Sequence, residues 1–334
     1  MNAEELSELY TEGQRTFPGA ELAGTNLIGA NLKGINLNGA NLIGASLARS
    51  DLSRAMLERT NLTEAFLYAA NLNYVKLKGA NLQKADLTKA NLKGANMARV
   101  DLSGAKLSGA ILTGVSLYGA CLQGVNLCGA NLSGINLRAA DLRGANLSWT
   151  NLSGARLSGA LLQGAQLNGV KLSSAYMNGV DLNGIDLDGV DLSEAKLSGA
   201  NLMGTNLTAA NLSETQMRLV LCDRANLRAA NMMGASLGRA SFCQANLSKV
   251  DLTAADLTEA DLTGANLNLA KLCEANLRGA SLREAYLWGS DLQGTILTEA
   301  NLSYASLRNA KISPADNRQA ILTGATMPDG TIHN

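Results

Sequence analysis

Histidine is almost missing from this sequence. The only one in 334 residues is His333, which removes Ser-His-Asp and Cys-His catalytic arrangements and histidine-based metal sites. Aromatic residues make up 4% and prolines number 3, so any core is narrow, repetitive and nearly free of large rings. No apolar run approaches the roughly 18 residues of a membrane span. The 28 basic residues balance the 28 acidic ones, so bulk electrostatics draw the chain neither to nucleic acid nor to an anionic membrane. The opening "MNAEELSELY" is acidic and lacks the basic and apolar regions of a secretory signal, so a soluble, cytoplasmic protein is expected. Cys121, Cys128, Cys222, Cys243 and Cys273 form no C-x-x-C pair and are expected as reduced thiols. No phosphate-binding G-x-x-x-x-G-K-[ST] occurs; the glycines fall in a five-residue phase instead. No catalytic residue, cofactor or metal ligand is expected.

What is present is a period. Residues 150–169 read "TNLSGARLSGALLQGAQLNG", with Leu152, Leu157, Leu162 and Leu167 five apart. The phase holds over 58 sites from Leu22 to Leu307, of which leucine fills 52. The exceptions, Met97, Met177, Met217, Cys222, Met232 and Phe242, are all apolar. Two residues before each centre, alanine fills 39 of 59 sites, and Val, Ile, Thr or Ser the rest. An α-helix cannot use this pattern, because five residues turn about 500° and the leucines would step about 140° around the axis. A flat strand fails because residues five apart lie on opposite faces. The pattern needs a coil in which five residues make one side. One large and one small residue then point inward and three point outward. Neighbouring coils, about 4.8 Å apart, satisfy each other's backbone groups. Glycine is frequent two residues after the centre, as at Gly24, Gly29 and Gly34, where a type II turn needs positive φ. At Arg49, Arg54 and Arg59 the same site is not glycine, and a different turn type is expected.

The unit A-[DN]-L-[ST]-x, as in "ANLSG" at 130–134, resembles the pentapeptide-repeat family over about residues 20–327. The resemblance implies an all-β fold: a right-handed quadrilateral parallel β-helix, or pentapeptide-repeat solenoid, with four repeats per coil. About 15 coils at about 4.8 Å each would then make a rod roughly 70 Å long. Residues 1–16 are expected as an N-terminal helical cap, 17–312 as a continuous β-helix and 313–334 as a C-terminal cap and tail.

The N-terminal cap rests on Asn2 and Glu5, a capping box, and on Ala3, Leu6 and Tyr10, which share one helical face ending before Gly13. Residues 2–13 read as a short amphipathic α-helix over the first coil. Towards the other end, Asn317 occupies a centre, Pro314 removes a donor and "MPDGTIHN" reads as a turn and tail. Ile321, Leu322 and Met327 are expected to cover the last coil. Some members of the family dimerise through this end; without a strong apolar C-terminal helix, a monomer is the expectation here.

Carboxylates gather at Asp181, Asp186, Asp188, Asp191 and Glu194, and at Asp251, Asp256, Glu259 and Asp261. Each reads as a solvated belt over several sides rather than a cation site. Folding the sequence by twenty places Phe66, Tyr68, Trp149, Tyr286 and Trp288 on one face. Nine aromatics occupy outward repeat sites; the other four are Tyr74, Tyr118, Tyr176 and Tyr304. Tyr286 and Trp288 flank one centre, Arg308 follows one coil beyond Trp288, and Tyr304 lies around the corner. Tyr, Trp and Arg dominate protein interfaces, which makes this group the first candidate interaction surface. Ile28, Phe66 and Tyr68 form a second, about 11 coils away. Leu161, Met203 and Leu221 form a weaker apolar patch. Arg49, Arg54 and Arg59, and Arg218, Arg224, Arg228 and Arg239, point in different directions, which argues against nucleic acid as a partner.

The function expected is a non-catalytic protein-protein interaction scaffold with an unidentified protein partner. Uninterrupted family members with such ends are common in cyanobacteria, where some act in developmental regulation through protein contacts. The alternative is a duplex-DNA mimic that protects type II topoisomerases. Family members in that role are strongly acidic, dimeric and in several cases loop-bearing, whereas this sequence is neutral and without insertions.

Overall fold

Five residues show how the chain builds itself. Ala40 and Leu42 are buried. Between them, the Asn41 amide donates to the Ala20 carbonyl at 2.9 Å, and the Asn41 carbonyl accepts from the Leu22 amide at 2.8 Å. The Ala45 amide then closes a turn onto the Leu42 carbonyl at 3.1 Å, with Gly44 at φ 62°. The Gly44 amide donates to the carbonyl of Thr63 at 2.9 Å. Most backbone groups of the side are used in this way, within the coil or by a neighbouring coil.

The computed structural model describes residues 1–313 and 319–334; Pro314 and Asn317 lie outside them. The chain divides into two compact units, Met1–Val170 and Lys171–Asn334. In both, parallel bridges join residues twenty apart, such as Glu21↔Asn41, Asn26↔Ser46 and Asn31↔Asp51 in the first unit and Asn206↔Asn226 in the second. Twenty residues per coil with a turn every five makes each unit quadrilateral. The core is the leucine column plus the alanine column, with Phe242 its largest fully buried side chain. Inward Thr and Ser satisfy their hydroxyls on carbonyls: Thr60 Oγ1 donates to Leu37 at 2.8 Å and Thr205 Oγ1 to Leu182 at 2.9 Å.

Where Asn or Asp precedes the leucine, it also has a structural reason. Its Oδ1 accepts the amide two residues on, as Asn41 does from Ile43 at 3.2 Å. Where Ser or Thr follows the leucine, its hydroxyl joins the same oxygen: Asp261 accepts the Thr263 amide at 2.9 Å and its Oγ1 at 2.5 Å. The repeat A-[DN]-L-[ST]-x is thus a chain of Asx turns over a leucine core.

The expectation of a different turn at Arg49, Arg54 and Arg59 is corrected. Their φ values are 56°, 59° and 56°, the same left-handed conformation as the glycines. The Arg49 amide must reach the Tyr68 carbonyl at 2.9 Å while the Ser50 amide closes onto Leu47 at 3.2 Å. The ladder holds a non-glycine residue where its Cβ costs about 1–2 kcal/mol.

Helix α1 spans Ala3–Thr11, shorter than expected because Glu12 already serves as its C-cap. Asn2 Oδ1 accepts the Glu5 amide at 2.8 Å. Leu6 is fully buried, Tyr10 donates its hydroxyl to the Lys33 carbonyl at 2.8 Å, and the Arg15 guanidinium lies 3.8 Å from the Tyr10 ring centre. Near the C-terminus, Leu322 is buried and Met327 half-buried, but Ile321 is exposed. Its backbone pairs with Asn301, which aims its side chain outward, so it does not cover the coil. Thr326 pairs in parallel with Ser306 and antiparallel with Ile332. The chain reverses through a turn in which the Gly330 amide donates to Met327 at 2.9 Å.

No helix among the described residues is long and apolar enough to cross a membrane. Nor do three His, Cys, Asp or Glu side chains gather there to hold an ion. Asp181, Asp186 and Asp191 accept instead from Asn201, Asn206 and Asn211 one coil on, at 2.9, 2.8 and 3.2 Å. All five cysteines are free, and burial pushes the Cys222 thiol well above its usual range, with Asp223 adding to the effect.

Candidate interaction surface

Each outward aromatic stands on a rigid ladder, so what lies one coil further decides whether its ring is covered. In the first unit, Phe66 and Tyr68 flank buried Leu67 and stack on each other, with centroids 6.1 Å apart and planes 14° apart. Lys89 Nζ sits 5.8 Å from the Tyr68 ring, which is only half exposed. Arg138 covers Tyr118 at 6.0 Å. Trp149 is 70% exposed, yet its ring lies across Gly169, and Tyr74 lies likewise across Gly94. In the second unit, Lys196 covers Tyr176 at 4.5 Å and Tyr304 lies across Gly324.

Tyr286 and Trp288 differ. They are 56% and 46% exposed and flank buried Leu287. Among the described residues neither ring stacks on another, lies under a cation or crosses a glycine. Arg308, one coil beyond Trp288, turns its guanidinium towards Gly330, which a β-carbon would bring to 3.1 Å from Nη2. The C-terminal turn thus draws away the cation that the sequence places over Trp288. Of the first group read from the sequence, the structure leaves Tyr286 and Trp288 as an uncovered ledge. Tyr304 is packed on its own corner and Arg308 on the tail.

Beside Tyr286 the surface dips into a shallow groove of about 330 Å³, lined by Gln244, Ala245, Asn246, Gly264, Asn266, Asn268 and Tyr286. The sequence reading missed it. Its signal was the run of asparagines twenty apart at Asn206, Asn226, Asn246 and Asn266. Asn246 Nδ2 donates to Asn226 Oδ1 at 3.0 Å and Asn226 Nδ2 to Asn206 Oδ1 at 3.4 Å, but Asn266 does not continue the series. Asn268 connects groove and ledge, because its Oδ1 accepts the Trp288 amide at 2.9 Å.

The family model for pentapeptide repeats matches residues 20–114, 120–220 and 222–313. This chain belongs to the pentapeptide-repeat family. Its fold is accordingly the right-handed quadrilateral β-helix of that family. Among solved structures, it is similar to HetL, a pentapeptide repeat protein involved in heterocyst differentiation regulation in the cyanobacterium Nostoc sp. strain PCC 7120. The two are 28% identical over 100% of both chains, with a TM-score of 0.34. QnrB1, a plasmid-mediated fluoroquinolone resistance protein, is 17% identical over 60% of this chain and 90% of its own, with a TM-score of 0.39. Rfr23 from the cyanobacterium Cyanothece 51142 is 21% identical over 53% of this chain and 100% of its own, with a TM-score of 0.19. Comparison with curated proteins gives no match.

As a pentapeptide-repeat protein, the chain offers its surroundings repeat faces and corners. On the ledge two rings lie against no ring, cation or glycine among the described residues, although Trp149 and Tyr304, backed by glycines, are 70% and 61% exposed; the groove carries uncommitted amides.

Proposed function

We propose that this chain is a non-catalytic interaction scaffold that docks a protein partner on the ledge of Tyr286 and Trp288. One observation carries the reading: of the nine outward aromatics, these two alone lack a stacking ring, a covering cation or a glycine platform among the described residues. Large rings left bare on a rigid surface lose little conformational entropy on binding, and Tyr and Trp are enriched among residues that dominate binding energy. The same reading has the protein acting in the cytoplasm as a monomer, with the Thr326↔Ile332 pairing occupying the end of that face's ladder. Protection of a topoisomerase by DNA mimicry is the weaker reading, since the chain carries as many basic as acidic residues.

The test is a photo-crosslinking amino acid placed at position 288 and, as a control, at 118. A discrete protein adduct from 288 that Tyr286→Ala abolishes supports the ledge. Equal adducts from both positions, or none from 288, defeat it. A supercoiling assay with a type II topoisomerase and its inhibitor separates the second reading.

A further inference from the structure

The groove beside Tyr286 has a particular chemical character. Backbone amides point at two of its side-chain oxygens: Asn266 Oδ1 accepts from Asn268 at 3.1 Å and Asn268 Oδ1 from Trp288 at 2.9 Å. Those bonds fix the orientation of both amides, so each Nδ2 faces away from its turn. Gln244 Oε1 accepts from Arg224 Nε at 3.3 Å, which commits its oxygen too. The donors left over are Gln244 Nε2, Asn266 Nδ2 and Asn268 Nδ2, with no partner among the described residues. No Lys, Arg, Asp or Glu lines the groove.

Each ligand class meets this lining differently. A cation finds no carboxylate in the lining, and the Arg224 guanidinium beside the groove is turned onto Gln244 Oε1, so a phosphate or sulfate finds no cation in the lining itself. A wholly apolar ligand would strand the three amides, each of which loses its bonds to water. A neutral sugar ring suits every part of it. Its oxygens accept from the amide N–H groups, and its C–H face lies against the flat Tyr286 ring. A volume of about 330 Å³ lies at the small end of ligand sites, which span about 300–1,000 Å³, and suits one or two sugar rings.

We infer that the groove formed by Gln244, Asn266, Asn268 and Tyr286 is a binding site for a neutral saccharide. It shares Tyr286 with the docking ledge but differs from it otherwise: Trp288 serves the ledge alone, and the amides serve the groove alone. The saccharide is either a free oligosaccharide or a unit of a longer neutral chain.

Two substitutions probe the groove within the fold. Asn266→Asp keeps the oxygen that caps the Asn268 amide and replaces the spare donor with an acceptor; Asp already serves that role at Asp261. Gly264→Gln fills the floor with a side chain that Gln244 carries in the same left-handed conformation, at φ 57°. The experiment is native electrophoresis of the full chain through gels containing amylose, glucomannan or xylan, followed by competition with the matching free oligosaccharides. Thermal melts of each variant report its folding. Retardation by at least one neutral polysaccharide is expected. Weakening by about tenfold in Asn266→Asp, the worth of one or two hydrogen bonds, and loss in Gly264→Gln support the site. Full competition by the free oligosaccharide identifies the short ligand as sufficient; competition only by the polymer identifies the longer chain. Trp288→Ala should leave retardation intact while removing the docked protein, so the two readings fail separately. No retardation in any neutral gel, retardation unchanged in both variants, or retardation only by a charged polysaccharide overturns the inference. So does binding of an uncharged Gly-Ser peptide in place of the sugars.

Discussion

The ring of Trp149 lies across Gly169, one coil further on, so closely that a β-carbon on Gly169 would collide with Trp149 Cε3. Tyr74 with Gly94 and Tyr304 with Gly324 repeat the arrangement, such a β-carbon standing 2.6 and 2.7 Å from the ring. A glycine beneath a large corner residue is therefore a platform as well as a turn.

Gly169→Ala should cost more than backbone strain alone. The left-handed conformation costs about 1–2 kcal/mol with a β-carbon, and the displaced indole adds to that. Combining it with Trp149→Ala should bring the loss back to the backbone share. Denaturant unfolding of the four proteins of this double-mutant cycle measures the coupling; additive losses would show that the indole does not rest there.

Leu162→Asp should disrupt its coil. Leu162 is buried, so the change removes core volume, worth about 2–5 kcal/mol even for truncation to alanine, and adds a desolvated carboxylate. Ser158→Ala, on the outward side of the preceding repeat, should stay within about 0.5 kcal/mol. Amide hydrogen exchange should show lost protection in the coil of residue 162 and the coil before it for the first variant and not the second.

Removing an Asx cap should cost on the order of 1 kcal/mol per repeat. Asp261→Ala loses both the amide and the hydroxyl of Thr263, so it should exceed Asn91→Ala, where the side chain binds only an amide, from Lys93. Chemical denaturation of the two variants orders them.

Asp141 gives a pH dependence of known sign. The Arg143 guanidinium, hydrogen-bonded through Nη2 at 2.6 Å, holds its carboxyl at about 2 against an ordinary 3.8; burial opposes this, and Gln123 helps. A carboxyl whose folded value is depressed stabilises the fold above its ordinary value. That contribution fades as pH falls from about 4 towards 2. Arg143→Ala should move the Asp141 titration up towards the ordinary value, read by carboxyl carbon chemical shifts; an unmoved midpoint would place the cause elsewhere.

The core was legible because burial repeats with the sequence period: Leu162 and Ala165 are inward for the reason every fifth residue is. Arg49 was misread because a glycine preference was taken as a requirement, whereas the ladder of the next coil holds the arginine in place. The covering of rings was partly legible. The residue twenty on is Arg138 for Tyr118, Lys196 for Tyr176 and Gly169 for Trp149. The same rule fails at Trp288, because Arg308 packs against Gly330, a contact that depends on how the tail folds back. The groove was not legible, since which amide nitrogens stay unpaired is settled by side-chain hydrogen bonds.

A corner that holds Trp149, Glu214 and Leu219 alike in one backbone conformation makes the vertices of this protein chemically interchangeable. Charge, ring or aliphatic group can be exchanged at a vertex while the winding beneath stays the same. Recognition in such a molecule can therefore change residue by residue, with no core to repack.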